Sequence, residues 1–212
     1  MDMMNLVKVL PKLLSKEECI TLIDEFEKRK INATHESSLD TYGEYLKSTF
    51  KVIEIKETNK QYNFLLSKIN YCLSEWIKHL ESYNSFHIPI IKHALRFPHK
   101  IRLLRYNIGE SIHDHVDWTP FRHASVTINL NEDYEGGEFQ FFHNKQIMNL
   151  KQGDAIVFPA DAFWVHGVTP VTKGKRYSVN TFIESYPEEM IMEILQTYKY
   201  FDDNRERKLK PE

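Results

Sequence analysis

The chain has 212 residues, of which 42% are hydrophobic and 13% aromatic, so it can bury the core of one domain without a partner. Its formal net charge of −2 argues against a general nucleic-acid binder, which needs a strongly basic surface. The two cysteines lie in apolar helical patterns, the first residues show no secretion signal and no apolar run is long enough to span a membrane, which together favour a reducing, cytoplasmic environment.

The first third of the sequence predicts two amphipathic helices. Ser15-Lys16-Glu17-Glu18 has the spacing of a capping box, in which the serine hydroxyl and the glutamate carboxylate each accept a hydrogen bond from a free backbone N–H group. The helix that follows should bury Cys19, Leu22, Ile23 and Phe26. A second box, Thr58-Asn59-Lys60-Gln61, predicts the start of a longer helix that runs from about residue 60 to residue 81 and covers a sheet.

Between these helices, residues 32–44 are polar and show no sustained period. They predict a long loop. Such a loop either forms a lid over a site or is merely mobile, and the sequence leaves both alternatives open.

From residue 101 the pattern changes to short strand-like runs separated by turn residues. The predicted strands are 101–106, 111–117, 124–130, 138–142, 145–149, 155–158, 164–170 and 176–183. Eight short strands behind a helical preface are typical of an α+β, mainly β fold, a jelly-roll barrel with N-terminal helices packed outside. We expect a single domain over 1–212, with helices in 1–100, the barrel core in 101–184 and a C-terminal helix or tail in 185–212.

Two of the predicted strands carry a polar row opposite an apolar row. The polar rows are Ser125, Thr127 and Asn129 in one strand, and Arg176, Ser178 and Asn180 in the other. Polar rows usually face solvent. A barrel that holds a dicarboxylate, however, needs such a row on its inner face, because buried oxygens require hydrogen-bond donors.

The segment His113-Asp114-His115-Val116-Asp117 is the strongest candidate for a functional motif. Alternate side chains of a strand emerge on one face, so His113, His115 and Asp117 should point the same way. The tripeptide His79-Leu80-Glu81 has similar chemistry but lies in the second helical pattern, where residues two apart diverge by roughly 200°. Only the first segment can therefore supply a pair of metal ligands.

Two histidines and one carboxylate are the ligands of a ferrous ion that must keep positions open for a bidentate co-substrate and for dioxygen. Because a carboxylate must belong to the set, we favour His115 with Asp117, joined by His166 about fifty residues later. His113 would then stand at the rim, either as an exposed strand residue or facing the substrate. Arg176, ten residues after His166, could hold the far carboxylate of the co-substrate.

Six segments extend this motif along the chain. They are Arg105-Tyr106-Asn107-Ile108-Gly109, His115-Val116-Asp117, Gly136-Gly137-Glu138-Phe139, Gly153-Asp154-Ala155-Ile156-Val157-Phe158-Pro159, His166-Gly167-Val168-Thr169-Pro170-Val171 and Gly174-Lys175-Arg176-Tyr177-Ser178. Their order and spacing resemble those of the prolyl 4-hydroxylase-like Fe(II)/2-oxoglutarate-dependent dioxygenases. The resemblance covers about residues 6–184.

The resemblance implies a double-stranded β-helix fold in which His115, Asp117 and His166 hold Fe(II). It also implies that 2-oxoglutarate chelates the iron and that Arg176 pairs with its distal carboxylate. Many collagen-type relatives use lysine at this position, and arginine keeps the role because its fork binds a carboxylate in a bidentate manner. Dioxygen is the second co-substrate and ascorbate the expected reductant.

The resemblance also suggests further contacts to 2-oxoglutarate. Tyr106 matches a tyrosine whose hydroxyl reaches this co-substrate, although a core aromatic near the barrel mouth is the alternative interpretation. Thr127 and Asn129 lie on the strand that makes supporting contacts in relatives.

The implied reaction couples oxidative decarboxylation of 2-oxoglutarate to hydroxylation of a C–H bond, most favourably on a peptidyl proline or another protein residue. The alternatives are the same chemistry on a small molecule or a nucleic acid, and a non-redox metal-binding jelly-roll module, which would have no use for Arg176 and Tyr106. Candidates for the substrate mouth flank the metal ligands: His113, Trp118, Arg122 and Trp164, with Phe121 and Phe163 beside them. Aromatic rings there would suit a proline ring, but they also commonly pack loops.

Overall fold

The computed structural model of the protein describes residues 2–36, 38–39, 45–46, 50–187, 189–191, 193–194 and 196–197. In this part of the chain the helices are α1 (Lys16–Arg29), α2 (Tyr62–Glu81) and α3 (Ile88–Ala94), with 3-10 turns at Met3–Leu6 and Lys30–Asn32. The strands are β1 (Lys8–Leu10), β2 (Thr34–His35), β3 (Ser38–Leu39), β4 (Tyr45–Leu46), β5 (Lys51–Glu54), β6 (Phe97–Tyr106), β7 (Ile112–His115), β8 (Arg122–Asn129), β9 (Glu135–Gly136), β10 (Phe139–Phe141), β11 (Gln146–Met148), β12 (Ala155–Pro159), β13 (His166–Val168), β14 (Val171–Lys173) and β15 (Arg176–Glu184).

The start of α1 confirms the first capping box. The Ser15 hydroxyl accepts a hydrogen bond from the backbone N–H of Glu18 at 3.2 Å, and the Glu18 carboxylate accepts one from the Ser15 N–H at 2.8 Å. The second expected box is wrong, because α2 begins after Gln61 without a side-chain cap. The Asn59 side chain makes the hydrogen bonds before this helix instead. Its Oδ1 accepts one from the Gln61 N–H at 2.8 Å, and its Nδ2 donates one to Glu25 of α1 at 2.8 Å.

Antiparallel pairing builds two main sheets. The larger sheet has the order β1-β12-β8-β15-β6-β5-β2, and the smaller has the order β11-β10-β13-β7. Short pairs β14-β9 and β3-β4 add to them. All eight strands predicted beyond residue 100 are present with bounds shifted by a few residues. The strands β1 and β5, which the sequence did not predict, are short edge or near-edge additions to the larger sheet.

The larger sheet lies between two apolar layers. On one face it packs against α1 and α2 through a core that includes Leu22, Phe26, Leu65, Ile69, Trp76, Leu103, Val126, Ile128 and Val179. On the other face it packs against the smaller sheet through Leu104, Tyr106, Phe139, Phe141, Phe158 and Val168. The alternation along β6 explains this division, since Leu103 and Leu104 point to opposite faces.

The inner face of the larger sheet also carries the polar rows. Thr127, Arg176, Ser178 and Asn180 line a cavity between the sheets, which confirms an inward rather than a solvent-facing row. Of the loop expected at 32–44, residues 34–35 form β2, while residues 37 and 40–44 lie outside the described residues. Most of the expected C-terminal tail lies outside them as well. No helix in the described ranges has both the length and the apolarity needed to cross a bilayer.

Candidate metal and co-substrate site

Three side chains named as metal ligands from the sequence converge between the two sheets. His115 ends β7, His166 begins β13, and the two are direct partners in the pairing of these strands. Asp117 follows in the loop, with its Oδ1 3.3 Å from Nε2 of His115 and its Oδ2 3.2 Å from Nε2 of His166. Ligands bound at right angles, roughly 2.1 Å from one ion, lie about 3 Å apart, so this spacing fits a single metal ion.

Backbone carbonyl groups orient both imidazoles. Nδ1 of His115 lies 2.8 Å from the carbonyl oxygen of His113, and Nδ1 of His166 lies 2.9 Å from that of Trp164. Because a carbonyl oxygen can only accept, each Nδ1 carries the hydrogen and each Nε2 keeps its lone pair. Both rings are therefore in the tautomer that binds metal through Nε2.

Asp117 is buried and held at both its side chain and its backbone. The Ser125 hydroxyl donates a hydrogen bond to Oδ2, and Nη1 of Arg122 donates to the backbone carbonyl at 2.9 Å. Arg122 is itself fixed by Glu184, at 3.1 and 3.2 Å, and by the ring of Phe182, 3.7 Å from its guanidinium carbon. These contacts set the direction in which the carboxylate points.

The electrostatics of the cluster favour a bound cation. Burial by itself would raise the pKa of Asp117, but His166 and His115 outweigh it and hold that pKa well below its usual range. Burial would lower the pKa of His115, yet the neighbouring carboxylate raises it overall. The carboxylate is thus ionised at neutral pH, and it stabilises positive charge on the imidazoles or on a metal ion between them.

A cavity of about 690 Å³ opens beside the cluster. This volume is within the range of roughly 300–1,000 Å³ that small-molecule sites occupy. Apolar residues such as Phe50, Leu104, Ile112, Phe139 and Val168 line part of it. Its polar lining includes Glu36, Arg102, Tyr106, Arg122, Thr127, Arg176, Ser178 and Asn180.

Arg176 is a buried cation on this cavity. It is 1% exposed, and among the described residues it has no carboxylate partner. Its Nη1 donates to the Ser178 hydroxyl at 3.3 Å, its guanidinium lies 5.2 Å from the ring centre of Tyr106, and its buried Nε has no hydrogen-bond partner in the described structure. Strand alternation leaves Lys175 exposed on the other face. A buried guanidinium in this state calls for an anionic ligand.

Tyr106 and Thr127 lie on the same cavity, whereas Asn129 does not. Burial raises the pKa of Tyr106 to about 12, so its hydroxyl keeps its proton and can donate to an anion. Asn129 lines an adjoining cavity that it shares with Arg176, so its expected contact with 2-oxoglutarate stays a prediction. Its Nδ2 donates to the backbone carbonyls of Asn131, at 2.7 Å, and Leu150, at 3.2 Å, because the end of β8 runs past the cavity into the adjoining turns.

The expected substrate mouth is also only partly present. Trp118 lines the cavity and is 54% exposed. Arg122 also lines it, but its guanidinium is bound to Glu184 and to the backbone carbonyl of Asp117. Trp164 is wrong as a mouth residue: it is 2% exposed and packs its ring against Phe141, because the chain turns inward before β13. His113 is exposed and does not line the cavity, because the pairing of β7 with β13 shifts register between Ile112 and His115 and interrupts the alternation there.

Arg102 and Glu36 are charged cavity residues that the sequence analysis did not name. Arg102 shares the face of Leu104 and Tyr106 on β6, so strand alternation could have found it. Glu36 reaches the same place from the region after β2, and no local pattern indicates that contact.

The residues present fit both an iron ion and a dicarboxylate. Two imidazoles and one carboxylate on one side of the ion are the ligand set of non-haem Fe(II) oxygenases. The unpaired Arg176 guanidinium in the same cavity can accept one end of a dicarboxylate.

Comparisons with known proteins agree with this site. A family model described as the 2OG-Fe(II) oxygenase superfamily matches residues 101–184. A PKHD-type hydroxylase of Beijerinckia indica is 30% identical over 117 residues, which cover 47% of this chain and 50% of that protein. A PKHD-type hydroxylase of Alteromonas mediterranea is 34% identical over 102 residues, or 42% of this chain and 44% of that protein. The chain thus spans about half the length of the curated relatives it matches.

Solved structures share the fold at low sequence identity. The viral collagen prolyl hydroxylase of Paramecium bursaria Chlorella virus-1 superposes with a TM-score of 0.56 at 19% identity, over 85% of this chain and 96% of that one. A Trichoplax adhaerens prolyl hydroxylase, solved with a peptide fragment of hypoxia inducible factor, gives 0.63 at 13% identity, over 85% and 84%. The matched segment 101–184 contains His115, Asp117, His166 and Arg176. Residues 101–184 thus match the 2OG-Fe(II) oxygenase superfamily, and the chain is similar in sequence to PKHD-type hydroxylases and in fold to prolyl hydroxylases.

Proposed function

We propose that this chain hydroxylates a C–H bond of its substrate at the expense of 2-oxoglutarate and dioxygen. One observation carries the proposal: a two-histidine, one-carboxylate cluster and a buried arginine without a carboxylate partner in the described structure line one cavity. Bound Fe(II) would activate dioxygen, which is the oxidant: one oxygen atom would oxidise 2-oxoglutarate to succinate and carbon dioxide, and the other would enter the substrate as the hydroxyl group.

His115, Asp117 and His166 hold the iron in this proposal. Their ligand atoms occupy one side of the ion, so the other positions stay open toward the cavity. Asp117 keeps its orientation through Ser125 and Arg122, which matters because such supporting contacts typically change metal affinity 10- to 100-fold when removed.

Arg176 binds the distal carboxylate of 2-oxoglutarate. Its planar fork forms two parallel hydrogen bonds to a carboxylate, and Ser178 and Tyr106, which line the same cavity beside it, can add hydroxyl donors. Thr127 contributes to the polar wall on the neighbouring strand β8. Phe139 and Val168 form the apolar wall that limits the entry of water beside the iron ligands.

The facing sheets are, in this proposal, the two halves of a double-stranded β-helix. The likeness to solved oxygenase folds and the inward polar rows support it. The proposed organisation is one domain with helical elements in 1–100, a catalytic core in 101–184 and a C-terminal helix or tail in 185–212.

A peptidyl proline or another protein residue is the proposed substrate, and a small molecule or a nucleic acid is the alternative. The names of the PKHD-type hydroxylases and the peptide bound to the Trichoplax adhaerens enzyme support a peptide. Trp118, exposed at the cavity, offers a ring face for a proline ring. Ascorbate as the reductant and a cytoplasmic location complete the proposal.

Anaerobic loading with Fe(II) and 2-oxoglutarate tests the chemistry. We expect a weak visible charge-transfer band and, after admission of dioxygen, slow release of succinate without substrate. His166→Ala should abolish both, while circular dichroism shows that the fold is retained. A protein that binds the metal but gives neither signal with 2-oxoglutarate would be a non-redox module. A mass-spectrometric search for a gain of one oxygen atom over proline-containing peptides and small acids then identifies the substrate.

A further inference from the structure

Arg102 is another arginine of the cavity, and its contacts indicate which chemical group of a substrate it can bind. Arg102, on β6, is largely buried and lines the cavity together with Glu36, Asn180 and Phe182. Its position is fixed by the larger sheet: Asn180 Oδ1 accepts a hydrogen bond from Nη2, and the ring centre of Phe182 is 4.6 Å from the guanidinium carbon. The guanidinium is therefore already oriented for binding.

The anionic partner of Arg102 is not part of that rigid sheet face. Glu36 follows the short edge strand β2, and its Oε1 accepts a hydrogen bond from Nη1 of Arg102. Its second oxygen, Oε2, is buried without a hydrogen-bond partner in the described structure, and so is Nε of Arg102. Each charged group thus keeps one unpaired buried atom, although a carboxylate and a guanidinium can form two parallel bonds. The ion pair is incomplete on a surface that opens to the active-site cavity.

The other arginines of the cavity are committed elsewhere. Arg122 is held by Glu184 and by the backbone of Asp117, and the proposed function assigns Arg176 to 2-oxoglutarate. Arg102 remains as the guanidinium whose carboxylate partner, Glu36, follows the edge strand β2, whereas Glu184 belongs to the central strand β15.

We propose that Arg102 binds a carboxylate group of the substrate and that Glu36 occupies this position until the substrate displaces it. This inference rests on the proposed function, because it takes Arg176 to be occupied by 2-oxoglutarate. The carboxylate belongs either to a small free acid, such as an amino acid, or to the C-terminus of a peptide. Both present the same group to Arg102, with the hydroxylated carbon nearer to the iron ligands.

A first experiment tests access without knowledge of the substrate. Glu36→Ala protein, loaded anaerobically with Mn(II) and saturating 2-oxoglutarate, is titrated with propionate and with propionamide while its thermal unfolding is followed. Propionate should raise the melting temperature, because a ligand at ten times its Kd increases the folding equilibrium constant about 11-fold. Propionamide has the same shape without the charge and should have no effect. The double variant Glu36→Ala/Arg102→Gln should respond to neither.

A second experiment separates the two sources of the carboxylate. Succinate release by the Fe(II) enzyme is measured with L-proline, L-prolinamide, and a proline-containing peptide with a free or an amidated C-terminus. The free acid of one source should stimulate release at least tenfold more than its amide. Arg102→Gln should remove that preference, and Glu36→Gln should lower the concentration needed for half-maximal stimulation severalfold, because the internal competitor loses its charge.

Three outcomes would overturn the inference: propionate and propionamide act alike on Glu36→Ala, the source that stimulates succinate release does so equally well as acid and as amide, or Glu36→Gln weakens stimulation. If no compound of the set stimulates release, the propionate titration decides. Binding of 2-oxoglutarate to the Mn(II) protein is measured first. Its absence refutes the proposed function, whereas normal binding with indifference to propionate refutes only the role of Arg102.

Discussion

Replacement of Arg176 by glutamine tests whether this arginine binds 2-oxoglutarate or stabilises the fold. The side chain is 1% exposed and, in the described structure, contacts no carboxylate. Loss of one partner of a buried, hydrogen-bonded ion pair costs about 2–4 kcal/mol, which corresponds to roughly a 30- to 1,000-fold increase in the Kd of 2-oxoglutarate. Without co-substrate the same change should not lower the free energy of unfolding, because it removes a buried charge that lacks an anionic partner.

The assay combines urea unfolding of the ligand-free protein with titration of 2-oxoglutarate into the Mn(II) form, followed by its thermal stabilisation. Lys175→Gln is the matched control, since it removes the same charge from the adjacent, exposed position. Binding of 2-oxoglutarate by Arg176→Gln within threefold of the unmodified protein would refute the assignment. So would a large loss of stability in the ligand-free variant, which would show that the arginine has a structural partner.

Three further changes test neighbouring features. Gly137→Ala should raise the KM for 2-oxoglutarate roughly tenfold, because the new Cβ, at a φ of +62°, would lie 3.0 Å from Cδ of Arg176 and displace that side chain. Gly109→Ala is the control: its φ of +81° strains the backbone in the same way, but no atom lies within 4 Å of the new Cβ, so the KM should not change. Trp164→Ala should lower the free energy of unfolding by about 3–5 kcal/mol, whereas Trp118→Ala should leave it nearly unchanged and reduce substrate-dependent turnover. Glu27→Gln should reduce the loss of unfolding free energy between pH 4.5 and pH 2, measured by urea unfolding. Burial opposes ionisation of Glu27, but hydrogen bonds from Tyr177, Arg105 and Lys30 lower its pKa to about 2. The ionised carboxylate therefore stabilises the fold fully above pH 4.5, and this stabilisation is lost as the pH falls toward 2.

Local patterns in the chain were sufficient for much of the fold. The Ser15 capping box formed as expected because both of its hydrogen bonds join residues three apart. The strands beyond residue 100 formed because alternation and turn residues act over a few positions. Alternation also accounts for the buried Arg176 beside the exposed Lys175.

Neighbourhood in the sequence was a poor guide to the substrate mouth. Trp164 lies two residues before His166, yet its ring packs against Phe141 and is buried between the two sheets. Asn129 shares a strand face with Thr127, but it lies beyond the end of the cavity and binds backbone carbonyls. Alternation gives the face of a strand on which a residue lies, and the packing of the opposite sheet decides what that residue touches.

Residue types and spacing along the chain were enough to name His115, Asp117, His166 and Arg176 as one candidate site. Which other groups line the cavity with them follows from the packing of the two sheets. Arg102 and Glu36 are 66 residues apart and meet only because β2 and β6 are brought into one sheet through β5. Such contacts depend on the pairing of distant strands, which no local period of the chain encodes.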